Sequence, residues 1–422
     1  MSEKIAQRAL ILATFSFAAN FSVWTLYAAL VIPITALWHL NVLEVAGLLS
    51  APMLSGALSR IPAGIVADKG NPKILFVCQM LICLPPLGLL FFIENYSQLL
   101  LLGFWLGLSG SAFVFGNRYV NDFFPRNRQG TAMGVFGVGN AGAAITLVIV
   151  PILQEHFGWH SVGPIYLLGL LLVALLFLFF APNRPSHVTD KAVQSLCWYG
   201  LFKESQIWRL GLYYYFVFGS FLALLLWLPY YYTQAYQLPL PQAMAFTLFF
   251  VTTSSVVRAL GGWFADKYGG RSVNWSVFWV CLVCLFFLSY PPTSMTIHGV
   301  EHDVHLDIAI NVWVFSVLIC VIGLAQGFGR ASVFKMIHEY YPDNMGRAGG
   351  IVSAIGALGG FTLPILFGMA VDFLGFYSAS FMLLYGVLAI CMMAMYFAIR
   401  AERYHRKLQE AASYNFLEDD DL

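Results

Sequence analysis

The chain has 422 residues, of which 59% are hydrophobic, 16% aromatic and only 10% charged. Soluble domains carry about 25% charged residues, so this composition excludes a water-soluble globule of this size. Charge is balanced, with 22 Lys+Arg against 21 Asp+Glu, which excludes a nucleic-acid binder with a basic face.

A helix needs about 20 apolar residues to cross a hydrocarbon core of about 30 Å. Twelve such runs follow one another, over about 9–37, 42–67, 74–93, 98–118, 131–154, 161–181, 207–235, 241–266, 273–292, 308–329, 347–371 and 377–399. No cleavable signal peptide is expected before the first, whose apolar stretch is too long and lacks a small-residue cleavage site. The longest internal connection, 182–206, carries Pro182, Arg184, Pro185, Asp190, Lys191 and Lys203 and divides the spans six and six. The expected architecture is an all-α integral membrane protein. It has a six-helix bundle over 1–181, a linker over 182–206, a second six-helix bundle over 207–400 and a tail over 401–422. The terminal Glu418, Asp419, Asp420 and Asp421 read as a solvated tail.

Orientation follows from the cations. Alternate connections hold Lys4/Arg8, Lys69/Lys73, Arg126/Arg128, Arg184/Lys191/Lys203, Lys267/Arg271, Lys335/Arg347 and Arg400/Arg403/Arg406/Lys407, with Arg118, Arg209 and Arg330 read at span ends on the same side. The opposite loops contain acidic residues and no Lys or Arg. The positive-inside rule then places both termini in the cytoplasm of a cell membrane. Of the 22 basic residues, 20 are accounted for this way and two are left inside spans, Arg60 and Arg258. Arg60 precedes Asp68 by eight residues, which sets it about 12 Å deep at roughly 1.5 Å per residue. An intramembrane arginine costs several kcal/mol and marks a functional site by default.

The seven cysteines show no zinc or haem spacing. Cys281 and Cys284 form C-x-x-C inside an apolar run, where packing is the better reading. His298, His302 and His305, beside Glu301, Asp303 and Asp307, have a spacing open to a metal, but they fall in an outer connection and read as a solvated loop. No metal, cofactor or catalytic residue is expected.

The chain repeats itself. Arg60-x-x-x-Gly64-x-x-Ala67-Asp68-Lys69 and Arg258-x-x-x-Gly262-x-x-Ala265-Asp266-Lys267 match at five positions, 198 residues apart, each in the second span of its half. Pro125, Asn127, Gly139 and Gly142 are echoed 217 residues later by Pro342, Asn344, Gly356 and Gly359. Carriers built from such repeats bind substrate near the midplane where the halves meet, so the two arginines are expected to face one another across a central cavity.

With twelve spans in two halves and the D-K-G-N-P-K and D-K-Y-G-G-R loops, the chain resembles the major facilitator superfamily, and within it the nitrate/nitrite porter branch. The resemblance rests on the paired arginines, the run Gly134-Val-Phe-Gly137-Val-Gly139-Asn140-Ala-Gly142 after Phe123-Phe124-Pro125-Arg126, the seventh-span Tyr214 and Phe218-Gly219-Ser220-Phe221, and Trp24 and Pro33 in the first span. It implies that Arg60 and Arg258 bind the oxygens of a small anion and that Asn140 donates a further hydrogen bond. Phe113 and Phe218 would stack above and below a flat anion, with Tyr214 one turn from Phe218. Two departures stand out: Ala112 where relatives often carry Asn, and Ala357 in the eleventh-span slot matching Asn140.

Guanidinium suits an oxyanion, because its planar donor fork matches two oxygens and keeps its charge. The spans hold no Asp, Glu or His well inside them, so the missing counter-charge is most simply the substrate. The same absence favours anion exchange, such as nitrate against nitrite, over proton symport. The glycines of the fifth and eleventh spans (Gly137, Gly139, Gly142, Gly356, Gly359) are expected to let helices pack closely and slide. Asp68 and Asp266 are expected to latch the cytoplasmic ends of the halves. The expected partners are a small inorganic anion and the lipid bilayer, with the chain working as a monomer and no nucleic acid involved. Another small anion such as a carboxylate, or a receptor that binds an anion without moving it, stays open; a membrane enzyme is disfavoured for want of acid–base or metal-binding residues.

Overall fold

A computed structural model describes residues 3–125, 128–183, 198–298, 303–342 and 345–418. Among them, twelve helices are long and apolar enough to cross a membrane. They are Glu3–Trp38, Val42–Ala67, Pro72–Phe92, Tyr96–Asn121, Gly130–Phe157, Trp159–Phe180, Ser205–Ala235, Leu240–Tyr268, Gly270–Leu288, Val312–Tyr340, Met345–Leu374 and Ala379–Tyr404, called the first to twelfth spans below.

Several starts are written in local sequence. Before the second span, Asn41 Oδ1 accepts from the Glu44 N–H at 2.9 Å while Glu44 Oε2 accepts from the Asn41 N–H at 2.8 Å. This reciprocal capping box satisfies two N–H groups that the first helical turn leaves open. The third span starts with Asn71 as cap and Pro72 at the first helical position, where no N–H is needed. Asn95 and Asn311 cap the fourth and tenth spans.

The spans differ in how much of their surface is enclosed. The seventh has 89% of its most apolar window buried and the twelfth only 22%. The seventh is therefore an axial helix and the twelfth a peripheral one facing lipid, with Met393, Tyr396 and Phe397 exposed. The second span packs along the eleventh: a Cβ on Gly64 would lie 3.4 Å from Gly346 O, and one on Gly368 3.6 Å from the Ala46 Cβ. The fifth packs on the eighth, where a Cβ on Gly262 would lie 2.8 Å from Gly130 O. Both contacts join the first six spans to the last six.

Three sequence expectations change. The tenth span does not end near residue 329 but runs to Tyr340, which moves Arg330 from a span end to the helix interior. The outer connection is not a structureless loop: Thr293–His298 pairs antiparallel with Asp303–Ile308, setting Thr296 opposite His305 and His298 opposite Asp303. Glu301 and His302 lie outside the described residues, as do 184–197 of the linker and Asp419, Asp420 and Asp421 of the tail. The last helix continues past its span to Glu418, so the helix reaches well into the expected tail.

Candidate functional site

Among the spans that leave α-helical geometry, three do so beside the buried arginines or their partners. The fourth tightens to a 3-10 turn over Gly107–Ser111, the fifth over Val138–Ala141, and the seventh widens to a π turn over Tyr215–Gly219. Such departures free backbone carbonyls and re-aim side chains, and they concentrate at functional sites. These turns carry or adjoin Phe113, Asn140 and Phe218.

Arg60 is 0% exposed. Its Nε donates to Gly110 O at 3.1 Å, in the irregular turn of the fourth span, and its Nη1 crosses to Ser353 O of the eleventh at 3.0 Å. Aromatic rings surround it: the guanidinium carbon is 4.8 Å from the Trp24 ring centre, 5.2 Å from Phe218 and 5.6 Å from Phe113. Arg258 is 2% exposed, and its guanidinium carbon lies 5.5 Å from the Phe113 ring centre. Phe113 thus touches both arginines. Tyr214 stacks on Phe218 with ring centres 5.0 Å apart, and its buried hydroxyl lies beside Arg258.

Asn140 is fully buried between cations. With its amide turned so that the oxygen faces the guanidinium groups, Oδ1 accepts from Arg258 Nη1 and from Arg330 Nη1, each at 2.9 Å. Here the asparagine oxygen serves as an acceptor for arginines. Arg330 also donates through Nη2 to Ser254 O and Ser254 Oγ, both at 2.6 Å, and through Nε to Gln326 O at 3.3 Å. Its guanidinium lies 4.0 Å from the Phe221 ring centre. The site therefore holds three arginines where the sequence pointed to two. The signal that could have found the third is the apolar run Val333–Ile337, which is interrupted only by Lys335 and carries the tenth span past Arg330.

The five glycines lie at close approaches of neighbouring atoms. Side chains at Gly137 and Gly356 would overlap Arg258 and Tyr214, and one at Gly142 would strike the Ala18 carbonyl. A Cβ on Gly139 would lie 2.5 Å from the Phe17 ring and one on Gly359 2.7 Å from the Gly219 Cα. Asp266 stands eight residues beyond Arg258 on the eighth span: its Oδ1 pairs with Lys335 Nζ at 2.9 Å, and its Oδ2 accepts from Thr131 Oγ1 at 3.4 Å. The side chain of Asp68 lies outside the described residues.

The electrostatics follow from the partners. Burying a cation costs several kcal/mol unless charge or strong hydrogen bonds replace water, and every partner named for the three arginines is neutral. Two donors stay open in the interior, Arg60 Nη2 and Arg258 Nε. A narrow crevice lined by Asn121, Gly134, Phe334, Lys335 and His338 reaches Arg258 from the end that carries Lys335. The arrangement can take up a compact anion with several oxygens, whose charge offsets the cations and whose flat faces meet aromatic rings.

The sequence profile of the Major Facilitator Superfamily matches residues 10–300 and 305–417. The chain is 30% identical over 405 residues to the "Probable nitrate/nitrite antiporter NarK1" of Thermus thermophilus, covering 93% of this chain and 91% of that one. It is 28% identical to the "Nitrite extrusion protein" of Bacillus subtilis (strain 168), covering 88% and 89% of the two chains. It is 26% identical to the "Probable nitrate transporter NarT" of Staphylococcus epidermidis, covering 93% and 97%. The crystal structure of the human organic anion transporter MFSD10 (TETRAN) superposes with a TM-score of 0.72 at 13% identity, over 94% of this chain and 100% of that one. A bacterial homologue of the human lysosomal transporter Spinster, inward-facing and occupied, gives 0.68 at 15% identity over 95% and 98%.

Proposed function

The chain belongs to the major facilitator superfamily and its nitrate/nitrite porter branch, and from that premise we propose that it exchanges nitrate for nitrite across a cell membrane. Both termini face the cytoplasm in this reading, which rests on the one-sided distribution of Lys and Arg in the connections. Substrate sits between Arg60 and Arg258, with Phe113 and Phe218 against its faces and Tyr214 and Asn140 at its edge. Rocking of the two halves about this point exposes it to each side in turn.

The observation that carries the reading is that Arg60 and Arg258 are both buried, both have a nitrogen without a hydrogen-bond partner, and the hydrogen-bond acceptors described for them are all neutral. A monovalent trigonal oxyanion supplies the missing negative charge and several acceptor oxygens in a volume small enough for the aromatic enclosure. The aliphatic bulk of a larger carboxylate fits that enclosure poorly.

Exchange is favoured over proton symport because the arginine cluster contains no Asp, Glu or His to carry a proton. Closing the halves on an empty site would bring guanidinium groups together without a counter-charge; a bound anion removes that repulsion. Return of the carrier then requires an anion in each direction. The test is uptake of isotope-labelled nitrate into proteoliposomes at equal pH inside and out, with and without internal nitrite. The reading expects uptake only with internal anion. Uptake into anion-free vesicles driven by an imposed pH gradient contradicts it.

A further inference from the structure

We propose that Arg330 is a positioning residue for Arg258, holding both the helical turn and the side-chain acceptor on which the anion-binding geometry of Arg258 depends. The inference rests on the reading that Arg258 binds the transported anion.

Arg330 differs from the other two buried arginines in how its donors are used. Arg60 leaves Nη2 open and Arg258 leaves Nε open. All three nitrogens of Arg330 are engaged: Nε with Gln326 O, Nη2 with Ser254 O and Oγ, and Nη1 with Asn140 Oδ1. A guanidinium with four of its five N–H donors engaged is a poor ligand for an anion and a good brace.

The brace closes on Arg258 from two sides. Ser254 is four residues before Arg258, so Ser254 O is the carbonyl to which the backbone N–H of Arg258 points in an α-helix. By holding Ser254 O and Oγ, both at 2.6 Å, Arg330 ties the tenth span to the turn of the eighth that carries Arg258. By donating to Asn140 Oδ1, it also holds the atom that receives Arg258 Nη1. Phe221 covers the outer face of Arg330 at 4.0 Å, and Gln326 continues the brace to the seventh span through Ser220 Oγ at 2.7 Å. Side chains or carbonyls of the fifth, seventh, eighth and tenth spans are thereby fixed around Arg258 in one arrangement. Positioning within a fraction of an ångström is what a bidentate contact to an anion requires.

The test uses the full-length protein in detergent and in proteoliposomes, as Arg330→Lys and Arg330→Met. Both variants are expected to raise the nitrate concentration for half-maximal exchange by about tenfold or more and to lose most of the thermal stabilisation that nitrate gives the wild type, with a smaller change in maximal rate. Ser254→Ala, which removes one acceptor only, is expected to reproduce the direction with a smaller effect, and it serves where the Arg330 variants do not fold. A purely structural Arg330 would lower the melting temperature yet leave the nitrate-dependent shift and the half-saturation value unchanged, which overturns the proposal. The two claims separate by assay: if the wild type exchanges no nitrate or nitrite in proteoliposomes, the transport reading fails, whereas cryo-EM of Arg330→Met reads the brace alone. Displacement of the Arg258 guanidinium from Asn140 still supports the brace, and an unmoved Arg258 refutes it.

Discussion

Arg258 and Arg330 donate to the same atom, Asn140 Oδ1, each at 2.9 Å. Two guanidinium groups that repel one another are thus held by a single neutral oxygen from the opposite half of the protein. An amide can do this because its oxygen has two lone pairs and carries only a partial charge, so it binds the cations without cancelling them. The positive charge stays available to a substrate.

Replacing that amide by a carboxylate reverses the balance. Asn140→Asp would place a full negative charge between the two arginines, and charge-assisted hydrogen bonds are about twice as strong as neutral ones. The variant is expected to be at least as heat-stable as the wild type in detergent, while its apparent nitrate affinity falls by about tenfold or more, because an internal anion now occupies the field. Asn140→Ala should lose stability instead. Paired melting curves and nitrate titrations check both signs.

The glycines of the fifth span can be separated by what they touch. Gly137→Ala would press a methyl group into the Arg258 side chain, and Gly142→Ala into the Ala18 carbonyl. The first neighbour is a side chain that can shift, so the expected loss is transport with the protein still folded. The second is backbone, so the expected loss is stability, about 1–3 kcal/mol as for other overpacked sites. Gly169→Ala, with nothing within 4 Å of the added atom, is the control in which neither should change. Size-exclusion profiles and exchange rates of the three variants distinguish the cases.

How far the sequence discloses this site depends on the residue. Arg60 and Arg258 were legible because a motif repeated 198 residues apart placed both in spans with no acid well inside them. Arg330 was not, because Lys335, His338 and Glu339 follow it and make the apolar run look finished at 329. The helix tolerates Lys335 there because Asp266 pairs with it at 2.9 Å, a contact between spans that a one-dimensional hydropathy profile does not contain. The shared acceptor on Asn140 is hidden for the same reason: the residue lies 118 positions from Arg258 and 190 from Arg330. The 3-10 and π turns had only indirect signals in the glycine-rich runs. The twelve spans, by contrast, needed only composition and length, since a bilayer imposes both.

The chemistry of the site also predicts its response to pH. Arginine keeps its charge across the physiological range, and no Asp, Glu or His belongs to the cluster around Asn140. Nitrate–nitrite counterflow at equal internal and external pH is therefore expected to vary less than about twofold between about pH 6 and 8, since the side chain that ordinarily titrates there is imidazole, and His338 lines the crevice toward Arg258 without joining the cluster. A bell-shaped profile with a tenfold range would point to a titrating residue in the pathway.

In the proposed function a pair of buried guanidinium forks, one from each half, binds the transported anion. This binding is tested most directly by counterflow of isotope-labelled nitrate against unlabelled nitrite in proteoliposomes, with wild type, Arg60→Lys and Arg258→Lys reconstituted at equal amounts. Lysine keeps the charge and loses the planar fork, and hydrogen bonds to charged groups are worth about 1.5–3 kcal/mol each. Rapid counterflow is expected of the wild type, with a drop of about tenfold to a hundredfold in apparent affinity for either variant. Counterflow by both lysine variants at wild-type concentrations and rates would contradict it.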